Sequence, residues 1–170
     1  MADGATVVLY PDAGPLITLA YADALDLLRA PGWPVMLVDM VLYEVTRNET
    51  PTSARIAAWA ANRAIPVVET TIHRRYLQSS ARKANLGELA IQEAISELGF
   101  DAGRTGVFLF EDHKIARTSF LLPDNCRKVS TRAFLLFLQQ RSLIESAVEI
   151  ESAAIRAGRH FSQIRFPPEH

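Results

Sequence analysis

Short apolar runs recur along the chain, and a stretch with helical spacing follows each of them. The run ATVVLYP, residues 5–11, predicts a buried first strand closed by a turn signal. VMLV (35–38), PVVET (66–70) and GVFLF (106–110) predict three more, and 127–130 a brief fifth. Between them, Gly14-Pro15 opens a helix with proline in its first turn, and 22–29 predicts another, stopped by Ala30-Pro31-Gly32. Asp39 reads as the N-cap of a helix carrying Met40, Val41, Glu44 and Val45. Further helices are expected at 53–63, at 72–84 with many arginines, at 85–98 before Gly99, and at 112–119. Residues 131–158 predict two helices broken near Arg141-Ser142, before an irregular tail ending FPPEH. Strands alternating with helices specify an α/β chain with a parallel sheet covered on both faces.

The 170 residues carry no internal repeat or linker signal, so one domain spanning 1–170 is expected. A chain of this length buries roughly two-thirds of its unfolded surface. With 49% apolar and 22% charged residues, the composition is that of a soluble globular protein. Apolar runs are too short to span a membrane, and MADGATVVLYPD has neither the basic nor the apolar region of a signal peptide. Cys126 is the only cysteine, which excludes an intrachain disulfide and fits a reducing cytoplasm. A net charge of −1 gives no overall attraction for nucleic acid, so such binding must use a local surface. The local candidates are Arg74, Arg75, Arg82, Lys83, Lys114 and Arg117. Each also reads as part of an ordinary solvated helix face.

Acidic residues carry the chemistry. Asp12 ends the first strand, where ligands of open α/β sheets bind, although it also stands where a helix cap would. Glu111 and Asp112 end the fourth strand in the same way, and the sequence does not separate the two. Were the first and fourth strands adjacent, their backbones would lie roughly 4.8 Å apart. Two ionised carboxylates at that spacing repel by about 3 kcal/mol at an effective dielectric near 20. A divalent cation removes that penalty. Glu44 lies in LVDMVLYEVTR among apolar neighbours, a setting closer to a cleft than to an open surface. Glu88 forms Asn85-x-x-Glu88, which resembles a capping box. Gly87 beside it weakens a helix start unless something must approach the backbone closely. An all-oxygen donor set suits Mg²⁺ or Mn²⁺.

The order and spacing of VVLYPDAGPLITL, VLYEVTR, LGELAI and FLFEDHKIAR resemble the PIN-domain ribonucleases, particularly the VapC-like toxins of toxin–antitoxin pairs. A looser likeness runs on through RAFLLFLQQRSLIESAVEIESAAIRAGRHFS. The resemblance implies a three-layer α/β/α sandwich around a small parallel sheet, with the first and fourth strands side by side. It places the family's acids on Asp12, Glu44, Glu88 and Asp112, with Glu111 as an auxiliary ligand. It implies a Mg²⁺- or Mn²⁺-dependent endoribonuclease acting on RNA, inhibited by a cognate antitoxin protein and often a homodimer. The chain departs from the pattern after the first acid, where Ala13 and Gly14 replace the usual hydroxyl residue, and before the last, where Phe110-Glu111 stand. Those departures would loosen the water shell of a metal. They motivate the alternative of a PIN-fold binding module with weak or lost nuclease activity, acting through a protein partner.

Other chemistries are poorly served. A phosphatase with Asp12 as nucleophile needs a second acid two residues on, where Gly14 stands. His73, His113, His160 and His170 lack zinc spacing, and the stretch from Gly99 to Gly106 lacks the Gly-Lys-Ser/Thr ending of a P-loop.

Overall fold

The computed structural model describes residues 6–79, 85–111 and 122–160. Five strands form: β1 (Thr6–Pro11), β2 (Leu37–Val38), β3 (Val67–Val68), β4 (Arg104–Phe110) and β5 (Cys126–Ser130). β4 pairs in parallel with β1 on one side and β5 on the other, while β2 pairs in parallel with β3. A parallel bridge from Leu9 to Val35 joins the two groups, flanked by Leu9 N–H to Pro34 O and Met36 N–H to Leu9 O, both 2.9 Å. The spatial order is therefore β3-β2-β1-β4-β5, with β1 in the middle. The first and fourth strands are neighbours, with Pro11 opposite Leu109.

The helices are α1 (Ala13–Tyr21), α2 (Asp39–Thr46), α3 (Ser53–Asn62), α4 (Thr71–Ser79), α5 (Leu86–Leu98), α6 (Thr131–Gln140) and α7 (Ala147–Arg156). This is an α/β fold whose small parallel sheet and covering helices suit a three-layer α/β/α sandwich. α5 packs on β2 and β4, α6 on β4 and β5, and α7 on α1 and α6. The core lies between these layers. Leu9, Phe108 and Phe110 of the central strands are fully buried, as are Leu16 and Leu19 of α1, Ile91 and Ile95 of α5, and Phe134 of α6. Burial of such side chains contributes about 1.5–3 kcal/mol each.

Local chemistry explains the boundaries. Ser130 and Ser146 cap α6 and α7, their hydroxyls accepting from Ala133 N–H and Glu149 N–H. The expected helix at 22–29 is instead a short 3₁₀ turn (Leu25–Arg29). Asp23 has φ 52° there, which interrupts right-handed helix between Tyr21 and Leu25. β2 and β3 are shorter than their apolar runs: Val35 makes only the bridge, and Pro66 has no N–H to give. Asp39 is not an N-cap. Val38 holds that position, and Asp39 is the first helical residue. The expected helix at 112–119, residues 80–84 and the tail from 161 lie outside the described residues.

Candidate functional site

Two of the candidate acids follow the ends of adjacent strands, and two stand on packed helices. Asp12 continues β1, and its N–H donates to Leu109 O at 2.8 Å, so it stays tied to β4. It is only 1% exposed. It occupies the N-cap position of α1, yet its side chain makes no cap hydrogen bond, so the capping role open to it in the sequence is not used. Glu111 follows β4 directly and is also buried. Its Oε1 accepts from Thr18 Oγ1 at 2.6 Å, and Arg159 Nη2 lies 3.7 Å from the same oxygen. Arg159 Nε donates to Thr18 Oγ1 at 3.0 Å and closes the triangle. A methyl group on Gly14 would overlap Cγ of Glu111. Gly14 therefore makes room for Glu111 to cross to Thr18 on α1. The residue that departs from the family pattern after the first acid is the seat of a second acid.

Glu44 and Glu88 come from packed helices, α2 and α5. Glu44 Oε1 accepts from Gly87 N–H at 3.2 Å, and a Cβ on Gly87 would stand 2.7 Å from Glu44 Oε2. The close approach that Gly87 signalled in the sequence is that of Glu44's carboxylate. It lands on the backbone of the residue next to Glu88 in the sequence. The capping box does not form as expected: Asn85 is the N-cap but has φ 62°, and its side chain makes no cap hydrogen bond.

Asp112 lies outside the described residues, as do Arg82, Lys83, Lys114 and Arg117. Among the described residues no group of three or more histidine, cysteine, aspartate or glutamate side chains is drawn together around one point. The fold sets Asp12 and Glu111 at the ends of adjacent strands, and Glu44 and Glu88 on packed helices. Arg74 and Arg75 are exposed on α4.

Sequence reasoning missed two neighbourhoods. Asp39 Oδ1 accepts from Met40 N–H and from Thr70 Oγ1, both at 2.7 Å. Its Oδ2 accepts from Thr70 N–H at 2.7 Å and lies 3.3 Å from His73 Nδ1. The carboxylate ties the end of β2 to the start of α4. His73 Nε2 is buried with no hydrogen-bond partner among the described residues. The second neighbourhood is a cavity of about 730 Å³ against Glu44, lined also by Tyr43, Arg47, Asn48, Tyr76 and Leu86. The Tyr43 and Tyr76 rings meet at 5.5 Å with a 59° tilt, and Arg47 stands 6.0 Å from the Tyr43 ring centre. The hydrogen bond with Tyr76, followed by the charge interaction with that phenol, raises the Tyr43 hydroxyl above its ordinary range. The only sequence signal for this cavity is YEVTRN, which puts an aromatic, an acid and a guanidinium within two helical turns.

No family model matches the sequence, and neither a curated protein nor a solved structure matches it. No helix among the described residues is long and apolar enough to cross a membrane.

Proposed function

We propose that the protein is a metal-dependent endoribonuclease of the PIN type, the toxin of a toxin–antitoxin pair. The observation that carries this reading is the pairing of β1 with β4, which sets buried Asp12 and buried Glu111 at the ends of neighbouring parallel strands. The donor chemistry there is carboxylate oxygen throughout, which suits Mg²⁺ or Mn²⁺ and no softer ion. Asp12, Glu44, Glu88 and Asp112 would hold the ion. Glu111 is engaged by Thr18 and Arg159, which favours Asp112 as the ligand at this strand end and keeps Glu111 as an auxiliary. When bound, the cation would activate water and stabilise charge on a phosphodiester.

The chain's own residues account for the rest. Burial keeps Asp12 out of bulk water, so its charge acts more strongly than it would at an exposed site. Gly87 N–H fixes the Glu44 carboxylate, so its orientation is set before substrate arrives. Arg74 and Arg75 offer phosphate contacts on the exposed side of α4. A cytoplasmic location, an antitoxin partner and a homodimer complete the reading.

The test compares pure wild type with Asp12→Asn on a mixed RNA substrate in Mn²⁺. Cleavage by wild type and none by the variant is expected, with the variant melting no lower than wild type in chelator. Equal cleavage by both proteins overturns the assignment. The second reading, a binding module acting through a protein partner, draws support from Arg159, which already offsets the charge of Glu111 from within the chain. A folded wild type that cleaves no RNA at any Mn²⁺ concentration would favour it.

A further inference from the structure

We propose that the cavity beside Glu44 is a nucleobase subsite, which makes the substrate a single-stranded RNA with an unstacked base next to the scissile phosphate. The inference rests on the ribonuclease reading and adds to it a binding determinant that lies outside the acids. The cavity holds about 730 Å³, within the range of sites that enclose small ligands. Its lining is chemically mixed: a carboxylate, a guanidinium, a carboxamide and two phenol rings beside the apolar Met40 and Leu86. A groove for a protein helix or strand would be mainly apolar at its centre. A base offers a flat π face and a polar edge, and this wall answers both. Tyr43 packs against His73, Tyr76 and Arg47, so the Tyr76 ring and the Arg47 guanidinium supply the flat surfaces on which bases of any identity stack. Asn48 supplies a donor and an acceptor for the edge.

Position strengthens the case. Glu44 lines the same cavity, so a base held there has its own phosphate beside one of the proposed ligand acids. Tyr76 and Leu86 line this cavity and also a second one of about 340 Å³, bordered by Ile72, Arg75 and Leu89. A strand leaving the first cavity crosses Tyr76 and enters the second, where Arg75 stands ready for a phosphate. A paired base cannot present its face to a side chain, so duplex RNA is excluded.

The probe is a short, fluorescently labelled, 2′-O-methylated oligoribonucleotide in chelator, so that binding is read without cleavage. Its partner probe has the same backbone without bases. Tyr76→Ala and Tyr76→Leu should each weaken binding of the first probe about tenfold, the loss of one base–aromatic stack, while Tyr76→Phe stays near wild type. Tyr76→Leu keeps the bulk of the side chain and covers the case in which Tyr76→Ala fails to fold. Binding of the abasic probe should be weak and the same for all four proteins. Equal affinity of wild type, Tyr76→Ala and Tyr76→Leu for the first probe would overturn the proposal and leave the cavity to a protein partner. Equal affinity of wild type for the two probes would overturn it too, by reducing the interaction to phosphate contacts. The nuclease reading fails separately, in the cleavage comparison of wild type with Asp12→Asn.

Discussion

Asp12 and Asp39 occupy the same kind of place. Each follows a buried parallel strand, β1 or β2, and each stands at the first turn of a helix. Their side chains are spent differently. Asp39 accepts from Met40 N–H and from both donors of Thr70, and His73 Nδ1 lies 3.3 Å from it. It is a staple between β2 and α4. Asp12 is buried more deeply, makes no cap bond to its helix, and has beside it a second acid from the neighbouring strand. An acid at a strand end is therefore not by itself a functional residue. On the proposed reading, the difference is that the next strand leads to a donor, Thr70 after β3, or to another acid, Glu111 after β4.

The comparison can be broken at several points. The largest effect is expected on activity: Asp12→Asn should lower RNA cleavage at least about 100-fold, the scale of losing one preorganised charge at a reacting centre. Asp39→Ala should leave cleavage per folded molecule near wild type. Its cost should appear in urea unfolding as about 2–4 kcal/mol, because it strips partners from Thr70 and His73 together. If Asp39→Ala abolishes cleavage without loss of stability, the two acids have been assigned the wrong way round.

The two glycine seats give the next contrast. At Gly14 the intruding atom is Cγ of Glu111, close to that residue's backbone, so Gly14→Ala should cost about 1–3 kcal/mol in the same assay. At Gly87 the intruder is the far end of Glu44, which can swing away. Gly87→Ala should hold or raise stability, by up to about 1 kcal/mol from the helix preference for alanine, while cleavage falls.

The smallest effect concerns a surface pair far from either rim. Hydrogen bonds from Arg63 and Trp59 hold the Asp26 carboxyl below its ordinary value. A lowered folded-state value means stability present above the unfolded value and lost as pH falls through the folded one. Asp26→Asn should therefore destabilise near neutrality and match wild type in strong acid. The gap should stay under about 1 kcal/mol, since Arg63 and Asp26 are each about half exposed.

Much of this architecture was legible in the residues. Apolar runs ended by turn signals placed β1 to β4 to within a few positions, because strands of a covered parallel sheet favour such runs, while β5, CRKVS, carries none. Gly87 announced a close approach, since glycine in a first turn has a cost that only crowding repays. Long-range side-chain pairing was not legible. Thr70 and Asp39 are 31 residues apart, Glu111 and Thr18 93, and Arg159 and Thr18 141. Nothing local in Arg159 marks it as the cation that meets Glu111. The tyrosine-lined cavity was hidden for the same reason, because Tyr43 and Tyr76 belong to different helices and meet only when α2 and α4 pack.

The central proposal is that Asp12 shares a divalent cation with at least one of Glu44, Glu88 and Asp112. A crystal structure of wild type soaked in Mn²⁺, with anomalous differences measured for manganese, tests it directly. The account expects one strong peak bonded to Asp12 and to at least one of Glu44, Glu88 and Asp112, and its absence from Asp12→Asn crystals. No peak at that rim, or a peak that survives Asp12→Asn unchanged, would contradict it.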